Sequence, residues 1–119
     1  MLTCLIRYRI DPTKRADFVT YARKWGQAIP RAGADLIGYF APHEGSTTRA
    51  YGIYNIESLS AYEAYRARLA ADPLAQENYD FAMREKFILG EERSFVTCVS
   101  APHVPQGHTI ASGQRFGPG

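Results

Sequence analysis

The residues best suited to chemistry stand close together between positions 38 and 45, which read GYFAPHEG. His43 is the first candidate, because an imidazole titrates near neutral pH and can act as a general base. Tyr39 comes four residues earlier, so an extended strand would place both side chains on one face. Glu44 has the opposite parity and would point away. The pair predicts proton transfer on an enolisable or phenolic substrate; a histidine that bonds a turn or a partner chain is the structural alternative.

Three aromatic residues are candidates for the wall of a ligand pocket. Trp25 falls on the apolar stripe of a predicted first helix, and Tyr21 and Tyr62 are expected beside it. Large aromatic side chains also dominate ordinary core burial, so packing alone would account for them. The sequence therefore leaves open whether these three residues bind a substrate or only fill the core.

Basic residues offer a second kind of candidate. Arg7 and Arg9 lie on the face of the first predicted strand opposite Cys4 and Ile6. Arg7 could bind an anionic substrate, or it could pair with a carboxylate of a partner chain if two sheets pack together. The other basic residues considered are expected to be solvated charges of helices and loops: Arg66, Arg68, Lys86 and Arg93.

Several classes of function are excluded by motifs that the chain lacks. It has no GxGxxG, P-loop, GxSxG or HExxH motif, which argues against nucleotide binding, serine hydrolysis and zinc proteolysis. Its histidines and cysteines have no metal-ligand spacing, so neither a metal nor a cofactor is expected. A cofactor-free oxygenase or isomerase remains open, because such a site needs only a dry pocket and one or two polar groups.

The composition is that of one ordinary globular domain. Of the 119 residues, 45% are hydrophobic and 22% are charged, with a net charge of +2, so no nucleic-acid partner is expected. No stretch approaches the ~20 apolar residues of a membrane span, and the N-terminus does not resemble a signal peptide, which predicts a cytoplasmic location without a membrane partner. Cys4 and Cys98 are expected to be buried reduced thiols, although a disulfide between them stays open.

Four strands are predicted from hydrophobic periodicity. Apolar residues alternate over residues 2–10, which indicates a strand, and further strands are predicted over 36–42, 50–56 and 92–99. Alternation in the second strand places residues 36, 38 and 40 on one side and 37, 39 and 41 on the other.

Three helices are predicted between these strands from their start and stop signals. Asp11-Pro12 begins the first helix, Ser58 or Ser60 caps the second, and Asp72-Pro73 begins the third. The element order is therefore β-α-β-β-α-α-β. This order predicts an α+β, ferredoxin-like fold, in which one antiparallel sheet carries the helices on one face.

The other face of the predicted sheet also carries apolar residues. Because one chain supplies helices for a single face, the second face would be a large apolar patch. A second copy of the chain would cover it, so we predict a homodimer through the sheet face. Residues 1–99 form the predicted domain, and the Gly- and Pro-rich residues 100–119 a C-terminal tail, either disordered or laid over a partner.

The order of short motifs resembles that of the NIPSNAP family. The block from Gly38 to Gly45 is followed by a strand, by SLSAYEAYR at 58–66 and by Asp72-Pro73. The resemblance spans about residues 2–99. It implies the fold and the dimer of the dimeric α/β-barrel superfamily. The family has no well-defined reaction, so the resemblance indicates architecture rather than function.

Two functions fit these observations. The first is a homodimer that binds or converts a small apolar or aromatic molecule, by cofactor-free proton transfer or oxygenation, in a pocket between sheet and helices. Tyr39 and His43 would form its polar end and Trp25 part of its wall. The alternative is a non-catalytic dimeric module that binds other proteins. A cavity of roughly 300 Å³ or more, with His43 pointing into it, would favour the first.

Overall fold

The computed structural model describes residues 1–100, which form a four-stranded antiparallel sheet and three α-helices. The strands occupy the spatial order β2-β3-β1-β4. Their bounds are β1 (Leu2–Ile10), β2 (Asp35–Phe40), β3 (Arg49–Ile56) and β4 (Ile88–Val96). The helices are α1 (Arg15–Arg31), preceded by a 3-10 turn at Pro12–Lys14, α2 (Leu59–Ala70) and α3 (Pro73–Glu85). This arrangement confirms the predicted ferredoxin-like fold. The predicted tail lies, apart from its first residue, outside the described residues.

Local side-chain and backbone signals set the helix boundaries. The hydroxyl of Ser58 accepts a hydrogen bond from the backbone N–H of Ala61 at 3.0 Å, so Ser58 rather than Ser60 caps α2. Asp72 caps α3 through a similar bond to the backbone. Just beyond α1, Gly33 has a φ of 101°, which glycine adopts with little strain.

The helices cover one face of the sheet, and the hydrophobic core lies between the two layers. β1 contributes its alternate residues to this core, all of them nearly or fully buried: Cys4, Ile6, Tyr8 and Ile10. The Nδ2 of Asn78 on α3 donates to the carbonyl of Tyr21 on α1 at 2.9 Å. At the other end of the same helix pair, Arg31 contacts Asp72 at 2.8 Å. These bonds fix α1 and α3 relative to each other above the sheet.

Two strands differ from their predicted course. β2 contains a bulge between Leu36 and Gly38, so Ile37 has no single partner on β3. As a result, Leu36 faces the helices together with Tyr39, whereas simple alternation had separated them. β4 begins at Ile88 rather than at residue 92, because it pairs with β1 along nearly the whole length of that strand. β4 is an edge strand, so it tolerates the charged residues 91–93, whose side chains reach solvent.

The second face of the sheet is uncovered in the single chain. Its centre is made by Leu5 and Ile53, which pair across β1 and β3 and are both half-buried. Phe40 at one edge and Val96 at the other are 47% and 45% exposed. The predicted second apolar face is therefore present, while the homodimer that would cover it stays a prediction.

The two cysteines have different environments. Cys4 is buried in β1 and Cys98 is exposed after the end of β4, and both are free thiols. The prediction of two buried thiols is thus wrong for Cys98, because the last strand ends before it reaches that residue.

Within residues 1–100, none of the helices is both long and apolar enough to cross a bilayer. The predicted cytoplasmic location is not tested by this finding and stays a prediction.

Candidate functional site

A cavity of about 530 Å³ lies between the sheet and the helices. Its floor is the helix-facing side of the sheet, to which all four strands contribute, and all three helices contribute to its walls. The lining includes seven tyrosines and one tryptophan: Tyr8, Tyr21, Trp25, Tyr39, Tyr54, Tyr62, Tyr65 and Tyr79. Small-molecule sites commonly enclose ~300–1,000 Å³ and are rich in aromatic side chains. The cavity has the size and the lining of such a site.

Two hydroxyl groups meet at the floor of the cavity. The Oη atoms of Tyr8 and Tyr39 are 3.0 Å apart and share a hydrogen bond. Tyr39 lies directly opposite Gly52 on β3, and a Cβ atom at Gly52 would lie 2.6 Å from the Cζ of the Tyr39 ring. Because Gly52 has no side chain, the Tyr39 ring can lie over β3 and reach Tyr8.

The buried tyrosines of the cavity are neutral at physiological pH. Burial raises the pKa of Tyr8 and of Tyr39 well above the ordinary value, and it raises the pKa of Tyr21 to about 12. These hydroxyls therefore donate and accept hydrogen bonds, but they do not supply a phenolate base.

Charged residues surround the mouth of the cavity. The Nη1 of Arg66, an exposed residue of α2, donates to the hydroxyl of Tyr62 at 3.0 Å, and the Arg66 guanidinium lies 5.7 Å from the Tyr62 ring centroid. Across the mouth on β4, the Nη2 of Arg93 contacts the Oε2 of Glu91 at 3.1 Å. The side chains of Arg93 and Glu91 are 34% and 37% exposed, so this rim is open to solvent.

Four of the six predicted site residues come together in this cavity: Tyr21, Trp25, Tyr39 and Tyr62. Trp25 is buried and packs edge-to-face on Tyr21 and on Tyr79, with ring centroids 5.7 and 5.2 Å apart. The predicted pocket between the first helix and the sheet thus exists as a space, and these residues line it.

The structure does not bring His43 to this cavity. β2 ends at Phe40, so the strand alternation that linked Tyr39 to His43 stops before it reaches His43. His43 and Glu44 are both exposed in the loop before β3. That loop is attached to α1 instead, because the Nε of Arg15 donates to the carbonyl of residue 42 at 2.7 Å. A catalytic role for His43 stays a prediction that has no contact with the cavity to support it.

Arg7 also lies away from the cavity. It is exposed on the uncovered sheet face, between Tyr51 of β3 and Glu92 of β4. With Arg9 and Arg49 it lines a separate depression of about 250 Å³. A role for Arg7 would therefore concern the sheet face and whatever covers it.

Several lining residues were not among the sequence candidates. Tyr8 has the same strand parity as the buried Ile6, so its inward direction was readable from the alternation of β1. Arg66 and Arg93 were expected to be solvated charges, yet both line the cavity. Arg93 faces it because it pairs with Ile6 across β1 and β4, a register that the predicted start of β4 did not reveal.

The described part of the chain offers no candidate metal site. Among residues 1–100, no three or more histidine, cysteine, aspartate or glutamate side chains are grouped so that they could hold a metal ion. The polar groups of the cavity are hydroxyls, guanidinium groups, the Gln76 amide, the indole N–H of Trp25 and a single carboxylate, that of Glu91.

Comparison with known proteins identifies the family. The NIPSNAP family model matches residues 3–102. This chain belongs to the NIPSNAP family. The match confirms the resemblance seen in the sequence motifs. An uncharacterized NIPSNAP domain protein from Burkholderia xenovorans has a similar structure, with a TM-score of 0.66 at 27% identity over 84% of this chain and 96% of that one.

More distant structures share the fold with this NIPSNAP protein. A NIPSNAP family protein of unknown function from Agrobacterium tumefaciens superposes with a TM-score of 0.68 at 22% identity, covering 81% of this chain and 86% of that one. The cofactor-independent oxygenase SnoaB from Streptomyces nogalater gives a TM-score of 0.51 at 16% identity, over 84% and 94% of the two chains. These two likenesses concern the fold alone. No curated protein matches the chain.

Proposed function

We propose that this NIPSNAP protein binds a small apolar or aromatic molecule between its sheet and its helices. The single observation that carries the proposal is the cavity of about 530 Å³ with its aromatic lining. Aromatic rings supply apolar surface, which favours ligand burial by about 25 cal/mol per Å². The hydroxyls of Tyr8 and Tyr39 add polar groups that would orient the ligand.

Conversion of the bound molecule by cofactor-free proton transfer would use groups of the same cavity. Glu91 is the carboxylate of the lining, and it stands directly opposite Tyr8 across β1 and β4. Its carboxylate would take a proton from an enolisable or phenolic substrate. One hydroxyl O–H of the Tyr8–Tyr39 pair remains free after their mutual bond, and it would donate a hydrogen bond to the substrate oxyanion. In an oxygenation, dioxygen would be the oxidant: the substrate carbanion would form a carbon–oxygen bond with it, and the peroxide anion would take back the proton held by Glu91. The hydroperoxide would then lose water to leave a carbonyl group.

The exposed apolar sheet face supports a homodimer as the working form. A homodimer also fits the alternative function, that of a non-catalytic dimer that binds other proteins. The exposed side chain of His43 is available to contact such a partner. The two functions differ in their use of the cavity, which only a small-molecule protein would need to keep open.

A thermal-shift screen with planar aromatic compounds tests the proposal. Ala82 is half-buried in the cavity wall, so Ala82→Phe would fill part of the space. We expect a ligand to raise the Tm of the wild type and of His43→Ala equally, and to leave that of Ala82→Phe nearly unchanged. At 100 times its Kd, such a ligand stabilises the folded state by about 2.7 kcal/mol.

Two other outcomes have clear meanings. Equal stabilisation of Ala82→Phe and the wild type would place the ligand outside the cavity and contradict the proposal. A ligand effect that is lost in His43→Ala would show that His43 takes part in binding, as the sequence predicted.

A further inference from the structure

We infer that the ligand of this cavity is an aromatic carboxylate, whose anionic group is held at the mouth by Arg66 and Arg93. This inference rests on the proposed function and deepens it by naming the class of ligand. It is carried by the charges at the mouth, by the way the two arginines converge, and by the neutral interior behind them.

The mouth carries more positive than negative charge. Arg66, Arg93 and Glu91 are its charged lining residues, two cations and one anion. Arg93 shares one N–H with Glu91, but the guanidinium group has other donors in its fork. Arg66 donates to the hydroxyl of Tyr62, and no carboxylate of residues 1–100 lies within 4.0 Å of its guanidinium group. The lining thus has one positive charge in excess at its solvent-exposed rim.

Arg66 and Arg93 approach the same part of the cavity from different layers of the fold. Arg66 belongs to α2 and Arg93 to β4, and the Tyr62 ring lies between these elements, with its centroid 4.8 Å from that of Phe95 on β4. Burial raises the pKa of the Tyr79 hydroxyl, and the charges of both arginines act against that rise. Both arginines line the same cavity as this hydroxyl, and both guanidinium groups act on it electrostatically. An anion placed between them would satisfy two charges that otherwise repel each other.

The interior of the cavity explains why the rest of the ligand should be aromatic. Tyr54 and Tyr65 lie with ring centroids 5.2 Å apart, and Tyr8 and Tyr21 are 6.2 Å apart edge to face. A planar ring inserted among them can make the same stacked and edge-on contacts. A charge buried among neutral hydroxyls would be costly, so the carboxylate stays at the mouth. A guanidinium fork matches a carboxylate with two parallel bonds, which favours this anion.

Isothermal titration calorimetry with 2-naphthoate and its methyl ester tests the inference. The two probes share the ring system and differ in charge. We expect the wild type to bind the acid about tenfold or more tightly than the ester, as a charge-assisted hydrogen bond allows. Arg66→Gln and Arg93→Gln should each weaken binding of the acid about tenfold and leave binding of the ester within about twofold.

Two control variants separate charge from fold. Arg84 is an exposed residue of α3 that pairs with Glu85 and does not line the cavity, so Arg84→Gln should bind both probes as the wild type does. Arg93→Lys keeps the positive charge and should recover part of the affinity for the acid. A variant that had lost its fold would bind neither probe, whereas retained ester binding shows an intact cavity.

The outcomes distinguish this inference from the proposed function. The wild type could bind acid and ester with equal affinity, and the arginine substitutions could leave both affinities unchanged. That result would overturn the inference that the ligand is anionic, and it would leave the proposal of a ligand-binding cavity standing. Failure of the wild type to bind either probe would overturn the inference that the ligand is an aromatic carboxylate. The thermal-shift screen with Ala82→Phe would then decide separately whether the cavity binds any small molecule.

Discussion

Tyr39 keeps its place on the floor of the cavity because the residue opposite it on β3 has no side chain. Gly52 is buried, and the Tyr39 ring occupies the space where its Cβ would lie. The hydroxyl of Tyr39 can then bond that of Tyr8. A glycine in a strand interior often marks such a close approach. Gly52 thus allows the Tyr39 hydroxyl to be one of the polar groups that the cavity offers to a ligand.

Gly52→Ala is predicted to displace Tyr39 and destabilise the protein. The new Cβ would lie 2.6 Å from the ring, so the ring has to move and the bond to Tyr8 is lost. We expect the free energy of unfolding to fall by about 1–3 kcal/mol in urea denaturation. Gly90→Ala on β4 is the matched control, since its nearest neighbour is the flexible Arg9 side chain at 3.5 Å.

A second comparison tests whether the steric clash with the Tyr39 ring causes this loss of stability. In a Tyr39→Ala background the space above Gly52 is empty, so Gly52→Ala should then cost less than about 0.5 kcal/mol. Similar losses in both backgrounds would mean that the Tyr39 ring is not what the alanine meets.

At the scale of elements, strand ends and helix caps decide which residues reach the site. The end of β2 at Phe40 separates His43 from Tyr39, and the early start of β4 at Ile88 brings Arg93 to the cavity. Both boundaries depend on the neighbouring strand: a strand continues while its partner offers backbone hydrogen bonds. The local sequence around residue 92 gave no sign of this pairing.

Ser58→Ala is predicted to destabilise α2, whereas Ser60→Ala is not. The Ser58 hydroxyl satisfies the backbone N–H of Ala61, and its removal should lower the free energy of unfolding by about 1 kcal/mol. Ser60 lies within the helix, where alanine is the better helix former, so its replacement should be neutral or slightly stabilising. Chemical denaturation of the two variants in parallel gives the measurement. A larger fall in the free energy of unfolding for Ser60→Ala would assign the cap to Ser60, which has capping-box spacing to Glu63.

At the scale of the whole molecule, the two faces of the sheet have different roles. The helix-facing side bounds the cavity, while the other side presents Leu5, Ile53 and Phe40 without cover from the described part of the chain. A dimer through this second face would leave the cavity on the outer side of each sheet. Ligand binding and dimerisation should therefore be separable by substitution.

Ile53→Glu is predicted to convert a dimeric wild type into a monomer. Ile53 lies near the middle of the uncovered face, where a carboxylate would be buried without a partner on dimerisation. Light scattering coupled to size-exclusion chromatography gives the molar mass. Leu59→Glu is the control, because Leu59 is 59% exposed at the start of α2 and should leave the mass unchanged. A monomeric wild type at micromolar concentration would contradict the homodimer.

The sequence by itself determined the element order, the fold class and four residues of the cavity wall. These follow from local rules: alternation places Tyr39 on a strand, and helical spacing places Trp25 on the inner face of α1. Alternation in β1 also places Arg7 on the face away from Ile6, outside the cavity. Only the tertiary structure decided that His43 lies outside the cavity and that Arg66 and Arg93 lie at its mouth. Those positions depend on where β2 ends, on the register of β4 and on the packing of α2, which are set by contacts between segments far apart in the chain.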